Sequence, residues 1–300
     1  MNGHDCGKSY TDGTNMLTLK APAKINLTLE VLGKRQDGYH EIRSVIQTIS
    51  LYDSLRFQLS RSIEFKSNQS DWVAGESLVS KAASLLQGIT GSEKGAMVEI
   101  DKHIPLLSGL AGDSSDAATV LRGLNKLWGL GLSRDRLAEV ASLLGSDVAF
   151  FLYGGTALVK GRGEIVTPLP PPSPVCVVLL IPEVPRASGK TKRLYAKMET
   201  GHHTSGQITD RFVDQLTKGG EVIPSMLFNA FDAVARDSYA GIADYWEQFL
   251  RAGAEAVHLA GSGPTLFTIT KNRAEAEKIY LCLQEEKLTC CLVQTTSAID

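Results

Sequence analysis

The chain has 300 residues, 43% hydrophobic and 21% charged, with 31 basic and 33 acidic side chains for a formal charge of −2. That length can hold two ordinary domains with full cores. The balanced charge excludes bulk attraction to nucleic acid or anionic membrane, so any anionic ligand has to be bound locally.

The cysteines, at 6, 176, 282, 290 and 291, are odd in number and lack CxxC spacing. This argues against a cysteine zinc site and a disulfide framework and for a reducing, cytoplasmic setting. Residues 1–16 are polar, with neither an apolar core nor an arginine-rich amphipathic pattern, and read as a disordered extension. From 17 to 31, "LTLKAPAKINLTLEV" alternates as a half-buried strand does, with a break near Pro22. Ile25, Leu27, Leu29 and Val31 share one face, which leaves Lys24, Asn26 and Thr28 on the other. "DGYHEI" turns at Asp37 and Gly38, and "SVIQTISLYDSLRFQL" returns as strand. Residues 76–86 read as helix, and "AMVEIDKHIP" as a strand.

That strand leads into "IPLLSGLAGDSSDAATVLRGLN", residues 104–125, where a glycine-serine cluster runs into a helical pattern. Ala117, Val120, Leu121, Leu124 and Trp128 recur at three- and four-residue steps, so one face is buried and the helix starts near residues 114–116. Its first-turn amides and dipole favour an anion, and glycines at 109 and 112 let the backbone approach a phosphate. The same stretch also fits an ordinary helix start capped by Ser114, Ser115 or Asp116.

"LSRDRLAEVASLLGSD" gives a second helix, with Ser133 as N-cap, a stripe at Leu137, Val140, Ala141 and Leu144, and Gly145 as its stop. Asp147 lies just beyond. "TPLPPPSP", residues 167–174, continues neither helix nor central strand, so the domains divide there, into 17–167 and 175–300. The second half opens with the strand "VCVVLLI" and is helical up to about Arg251. In "AVHLAGSGPTLFTIT" two strands flank Gly261, Ser262 and Gly263, and a helix and a last strand follow. The class is α+β rather than a regular βαβ array.

"SGKT", residues 188–191, sits where a Walker A loop would, but that motif needs glycine at 184, which is valine, and Pro182 and Pro185 lack amides. A better constellation joins Lys24 and Asn26 to Asp147. A carboxylate at the edge of "VAFFLY" needs a partner, and one beside an ammonium, aimed at a bound hydroxyl, suits proton removal in phosphoryl transfer. On spacing alone, Asp147 as the cap of the segment from Val148 and Lys24 as a solvated strand residue is the favoured reading.

"PAKINLTLEVLGKRQDGYHEI", the 104–125 stretch, "LGSDVAFFL" and "LAGSGPTLF" occur in the order and spacing of the GHMP kinases, which the chain resembles from about Leu17 to its end. The resemblance implies a two-domain α+β fold with a nucleotide and substrate cleft between the domains. ATP phosphates would lie on Leu107, Ser108, Gly109, Leu110, Ala111, Gly112, Asp113, Ser114 and Ser115, with Gly261, Ser262 and Gly263 also at the cleft. It implies Asp147 as base and Lys24 as its charge-stabilising partner. Asn26 and Thr191 would contact the substrate.

PAKINL and DGYHE narrow the resemblance to the branch acting, with ATP and Mg²⁺, on the 2-hydroxyl of cytidine diphosphate methylerythritol in isoprenoid-precursor synthesis. Tyr39 and His40 would then recognise cytosine, with Tyr195 on its other face. A sibling kinase for another small alcohol and a non-catalytic nucleotide binder share the same motifs. Three positions depart from the pattern of the family it resembles: Ala111 and Asp113 replace two loop glycines, and Ser77 stands where asparagine commonly contacts the nucleotide. Near a triphosphate, Asp113 has either to meet a metal ion or to point to solvent.

Overall fold

The computed structural model describes residues 11–12, 16–185 and 189–299. Most of the expected extension, and Ser188 of "SGKT", therefore lie outside the described residues; Thr11–Asp12 form β1, paired with the start of β2.

β2 (Met16–Lys34) and β3 (His40–Ser60) run antiparallel through most of the first half. β2 is not half-buried as its alternation predicts: Lys24, Asn26 and Thr28 are as enclosed as Ile25 and Leu27. The register slips between Pro22 and Ala23 and again between Asn26 and Thr28, so strict alternation of faces is broken. The second half of the chain also covers what would have been the solvent face, since Thr209 bonds to Thr28 and Glu30.

β4 (Ile63–Ser67), β5 (Gly95–Asp101), β6 (Thr156–Gly161) and β7 (Ile165–Pro168) extend this sheet; its spine runs β1, β2, β3, β5, β4, with β6 on β3 and β7 on β6. α1 (Leu78–Thr90) and α2 (Gly112–Trp128) pack on it. α1 starts two residues later than expected because Ser77 is its N-cap, accepting from Val79 N at 3.3 Å. The stripe predicted for α2 is buried in the same core. α3 (Arg134–Ser142) has the expected cap, Ser133, but ends at Leu143 rather than Gly145. α4 (Phe150–Tyr153) has Ala149 at its N-cap, so Asp147 caps nothing there.

The proline run separates β7 from β8 (Cys176–Leu180). α5 (Lys190–Lys197), α6 (Gln207–Thr217), β9 (Phe228–Asn229), α7 (Asp232–Ser238) and α8 (Ile242–Arg251) follow. β10 (His258–Leu259), β11 (Leu266–Thr270), α9 (Arg273–Glu285) and β12 (Cys290–Gln294) complete a second sheet of order β10, β11, β8, β12. The two halves interleave: β9 pairs with β2 of the first sheet, and residues after β12 bridge back to Ile49 and Gly154. No helix among the described residues is long and apolar enough to cross a membrane.

Candidate active site

The glycine-rich stretch enters α2 through three positive φ angles, at Leu107 (51°), Gly109 (94°) and Ala111 (59°). The N-cap position is therefore Ala111, with no side-chain cap, and α2 begins two residues before Ser114. Neither Ser114, Ser115 nor Asp116 caps the helix as the ordinary reading required. First-turn amides left without a side-chain cap are what an anion site at a helix start needs. Glycine at 109 is demanded by contact: a Cβ there would lie 2.0 Å from the Ala260 carbonyl oxygen.

That contact joins the two glycine-containing loops. A Cβ at Gly261 would lie 2.9 Å from Lys24 Nζ and 3.4 Å from Asn26 Oδ1, so the second loop rests on the polar face of β2. Asn229 fixes it, donating to the Leu259 and Gly261 carbonyls at 2.9 and 2.8 Å. The Tyr239 hydroxyl and the Thr191 hydroxyl hold Ser262, through its carbonyl and its Oγ respectively. The Lys24 amide donates to the Leu110 carbonyl at 3.1 Å, which ties the 107–115 loop to β2.

Lys24 itself is 4% exposed, and its Nζ donates to Asn26 Oδ1 at 2.8 Å and lies 3.5 Å from Asp147 Oδ2. Asn26 passes the chain on to Ser44 Oγ at 2.8 Å. The Asp147 side chain stays 34% exposed, so its carboxylate is open to a substrate while its partner is locked. Lys24, Asn26, Asp147, Thr191, Tyr39, His40 and Tyr195 all line one cleft of about 1440 Å³. That exceeds the usual 300–1,000 Å³ of a single-ligand pocket and suits two ligands held together.

At one end of the cleft, Tyr195 stacks on His40 at 4.3 Å and 7°. Tyr39, 55% exposed, has the Arg162 guanidinium 4.7 Å from its ring centroid. Burial, and then the Asp147 charge, push the Tyr195 phenol well above its ordinary range, so it remains a neutral flat surface. Burial lowers the His40 pKa, with the charges of His203 and Lys34 adding to the effect.

Asp113 adopts neither expected arrangement. Its carboxylate accepts from Ser77 Oγ and from Leu78 N, at 3.3 and 3.1 Å, and so caps α1 instead of facing solvent or standing ready for a metal. Ser77 and Asp113, two of the three positions that depart from the pattern the sequence resembles, are thus bonded to each other.

Sequence reasoning missed a buried triad beneath the loop. Lys102 Nζ donates to Asp53 Oδ2 and Asp116 Oδ2, each at 2.6 Å, with all three side chains at most 1% exposed. Asp53 Oδ1 also accepts from the amides of His103 and Ile104 at 2.6 and 2.7 Å, which fixes the strand's exit into the loop. Burial works against the Lys102 ammonium, but Asp116 and Asp53 outweigh it and hold its pKa above the ordinary lysine value. Burial drives the Asp116 carboxyl well above the usual carboxylate range, with Lys102 opposing. No local pattern links positions 53, 102 and 116.

A helix start whose first-turn amides have no side-chain cap, a locked ammonium beside an open carboxylate, and a cleft spanning two α+β lobes form the arrangement a small-molecule phosphotransferase uses. The model described as GHMP kinases N terminal domain matches residues 77–155, and that described as GHMP kinases C terminal matches 215–288. The chain is 48% identical over 285 residues, covering 95% of it and all of the relative, to a protein of Dehalococcoides mccartyi named 4-diphosphocytidyl-2-C-methyl-D-erythritol kinase. A protein of the same name from Geobacillus kaustophilus is 42% identical over 275 residues, covering 88% and 91% of the two chains.

Among solved structures, a 4-(cytidine 5'-diphospho)-2C-methyl-D-erythritol kinase is similar with a TM-score of 0.78 at 28% identity, covering 93% of this chain and 99% of that one. The homoserine kinase of Cytophaga hutchinsonii has a TM-score of 0.73 at 18% identity, covering 97% and 98%, a likeness of fold alone. The chain belongs to the GHMP kinase family.

Proposed function

We propose that this protein transfers the γ-phosphoryl group of ATP to the 2-hydroxyl of 4-diphosphocytidyl-2-C-methyl-D-erythritol. The observation that carries the reading is the Lys24 and Asp147 pair at 3.5 Å, in one cleft with the loop at the start of α2 and the aromatic cluster. Asp147 accepts the hydroxyl proton as the oxygen attacks phosphorus; Lys24, held by Asn26, stabilises charge at the reacting oxygens. The amides at the start of α2 bind the phosphate chain. Tyr39, His40 and Tyr195 form the cytosine end, and Thr191 and Asn26 contact the substrate between. The names of the relatives support this choice among GHMP kinase substrates.

The family implies Mg²⁺ accompanying ATP. Among the described residues, no three His, Cys, Asp or Glu side chains converge on one point, so the protein offers no cage. The Ser114 hydroxyl lines the cleft at the start of α2 and would give such an ion one oxygen ligand, the others being phosphate oxygens and water. Bound there, it would neutralise charge on the transferring phosphoryl group.

ADP release measured with a panel of small alcohols tests the reading. Turnover with the cytidine diphosphate substrate alone is expected; turnover only with another alcohol, or nucleotide binding without turnover, overturns it.

A further inference from the structure

Ser44 lies within β3, fully buried between β2 and β6, beside the place where β2 bulges. Asn26 pairs with Ile46 and Thr28 with Val45, so the register steps over Leu27. Two side chains close the ladder there: the Val45 amide donates to Thr28 Oγ1 at 3.0 Å, and the Ser44 hydroxyl donates to the Thr28 carbonyl.

A hydroxyl has one hydrogen and two lone pairs. With its hydrogen committed to Thr28, Ser44 Oγ can only accept, and it accepts from Asn26 Nδ2 at 2.8 Å. The Asn26 amide is thereby turned so that Oδ1 faces Lys24 Nζ, also at 2.8 Å. The opposite turn would set an amide NH2 against an ammonium, two donors with no acceptor between them. The bonds therefore run one way, from Lys24 through Asn26 and Ser44 to the Thr28 carbonyl, and end on the backbone of the strand that carries Lys24. All four residues are at most 4% exposed, so a lost partner is not replaced from bulk water. The flexible four-carbon stem of Lys24 depends on such partners to keep its ammonium 3.5 Å from Asp147.

We propose that Ser44 is a positioning residue for phosphoryl transfer: by fixing which way the Asn26 amide faces, it holds the Lys24 ammonium in place beside Asp147. This deepens the reading above and rests on it for the reaction. Ser44 stands behind the wall of the cleft while Lys24, Asn26 and Asp147 line it, so it acts through Asn26 and not on a ligand.

The test uses the full chain carrying Ser44→Ala, Asn26→Ala or both, assayed for turnover of the proposed alcohol, titrated with ATP, and followed by NMR with 15N-labelled asparagine. Ser44→Ala is expected to lower kcat about tenfold or more, since a misplacement of about 1 Å can cost ~10²-fold. ATP affinity should stay unchanged, and the Asn26 side-chain amide protons should exchange faster. In the Asn26→Ala background the same change should cost nothing further, as for two residues acting in one chain of bonds. Unchanged kcat in Ser44→Ala overturns the proposal. So does the same loss repeated in the Asn26→Ala background, or a matching fall in ATP affinity, either of which marks damage to the sheet. If the alanine variant does not fold, Ser44→Cys, only a weak donor and acceptor, supplies the same comparison. A wild type that binds ATP but does not phosphorylate the proposed alcohol sinks the functional reading. The NMR comparison needs no substrate, and unchanged Asn26 exchange in the Ser44 variant overturns the positioning role whatever the alcohol.

Discussion

At the residue scale, Lys24 and Asp147 divide their work by exposure: the ammonium is enclosed and hydrogen-bonded, and the carboxylate is reachable. Asp147→Asn removes proton acceptance while keeping shape. Turnover is expected to fall about 10²- to 10⁴-fold, the usual loss of a general base, with ATP affinity unchanged in calorimetry. Near-wild-type turnover in the folded variant would remove Asp147 from its role. The proposed base recognition centres on Tyr195, which stacks on His40 and is braced edge-on by Phe231 at 4.9 Å. Tyr195→Ala is expected to weaken CDP by roughly 1–3 kcal/mol, the worth of a base-aromatic stack, and to spare ATP.

His40 adds a pH dependence to the same end of the cleft. Burial, then the charges of His203 and Lys34, lower its pKa, so the folded protein favours the neutral ring. Whatever the neutral ring contributes is present above the ordinary value of 6.5 and is lost as pH falls through the lowered one. CDP affinity is therefore expected to stay flat through the ordinary histidine range and to decline only at lower pH, as pH falls through the lowered value. His40→Asn should flatten the acid limb; an unchanged limb assigns the titration to another group. The PAKINL and DGYHE pieces placed these residues in the cleft, but which rings touch depended on packing around Phe231 and Arg162, and ring contacts of that kind have no sequence period.

At the element scale, α2 was legible and its beginning was not. Its buried stripe follows from spacing, but positive φ at Leu107 and Ala111 has no signal in residue type. β2 hid its burial for a similar reason, since its bulges break the alternation that a strand reading relies on. Asp113 shows what the departures from the family achieve together: with Ser77 it ties the start of α1 to the first turn of α2. Asp113→Gly should lower stability by about 1 kcal/mol, a typical cap loss, while leaving the Mg²⁺ dependence of ATP affinity as it was. In a denaturation cycle with Ser77→Asn, the two substitutions should be non-additive, as bonded partners are. Additive effects would show that the two positions act separately.

At the scale of the molecule, the proline run marks a change of sheet, yet contacts cross it in both directions. β9 from the second half pairs with β2, and Thr209 N at the start of α6 donates to Glu30 Oε2 at 2.7 Å. The C-terminal stretch returns the contact, with the Thr296 carbonyl accepting from Gln47 Nε2 at 2.8 Å and the Ile299 carbonyl from Arg134 Nη2 at 3.2 Å. Pairings this far apart in sequence left no local pattern to read. The site is assembled across this seam, with Lys24 and Asp147 from one half and Thr191, Tyr195 and Gly261 from the other. The halves are therefore expected to unfold as one cooperative unit, with circular dichroism and tryptophan fluorescence giving coincident transitions. Deleting residues 296–300 removes both of these bonds and also those from Thr296 N to the Thr48 carbonyl, Thr296 Oγ1 to Thr48 Oγ1 and Ile299 N to the Tyr153 carbonyl, at about 1 kcal/mol each. At about 2 °C per kcal/mol for a chain of this size, Tm should fall by roughly 10 °C while the transition stays single. A deletion that splits it in two, or two transitions in the intact protein, would show that the lobes are held together only by the linker.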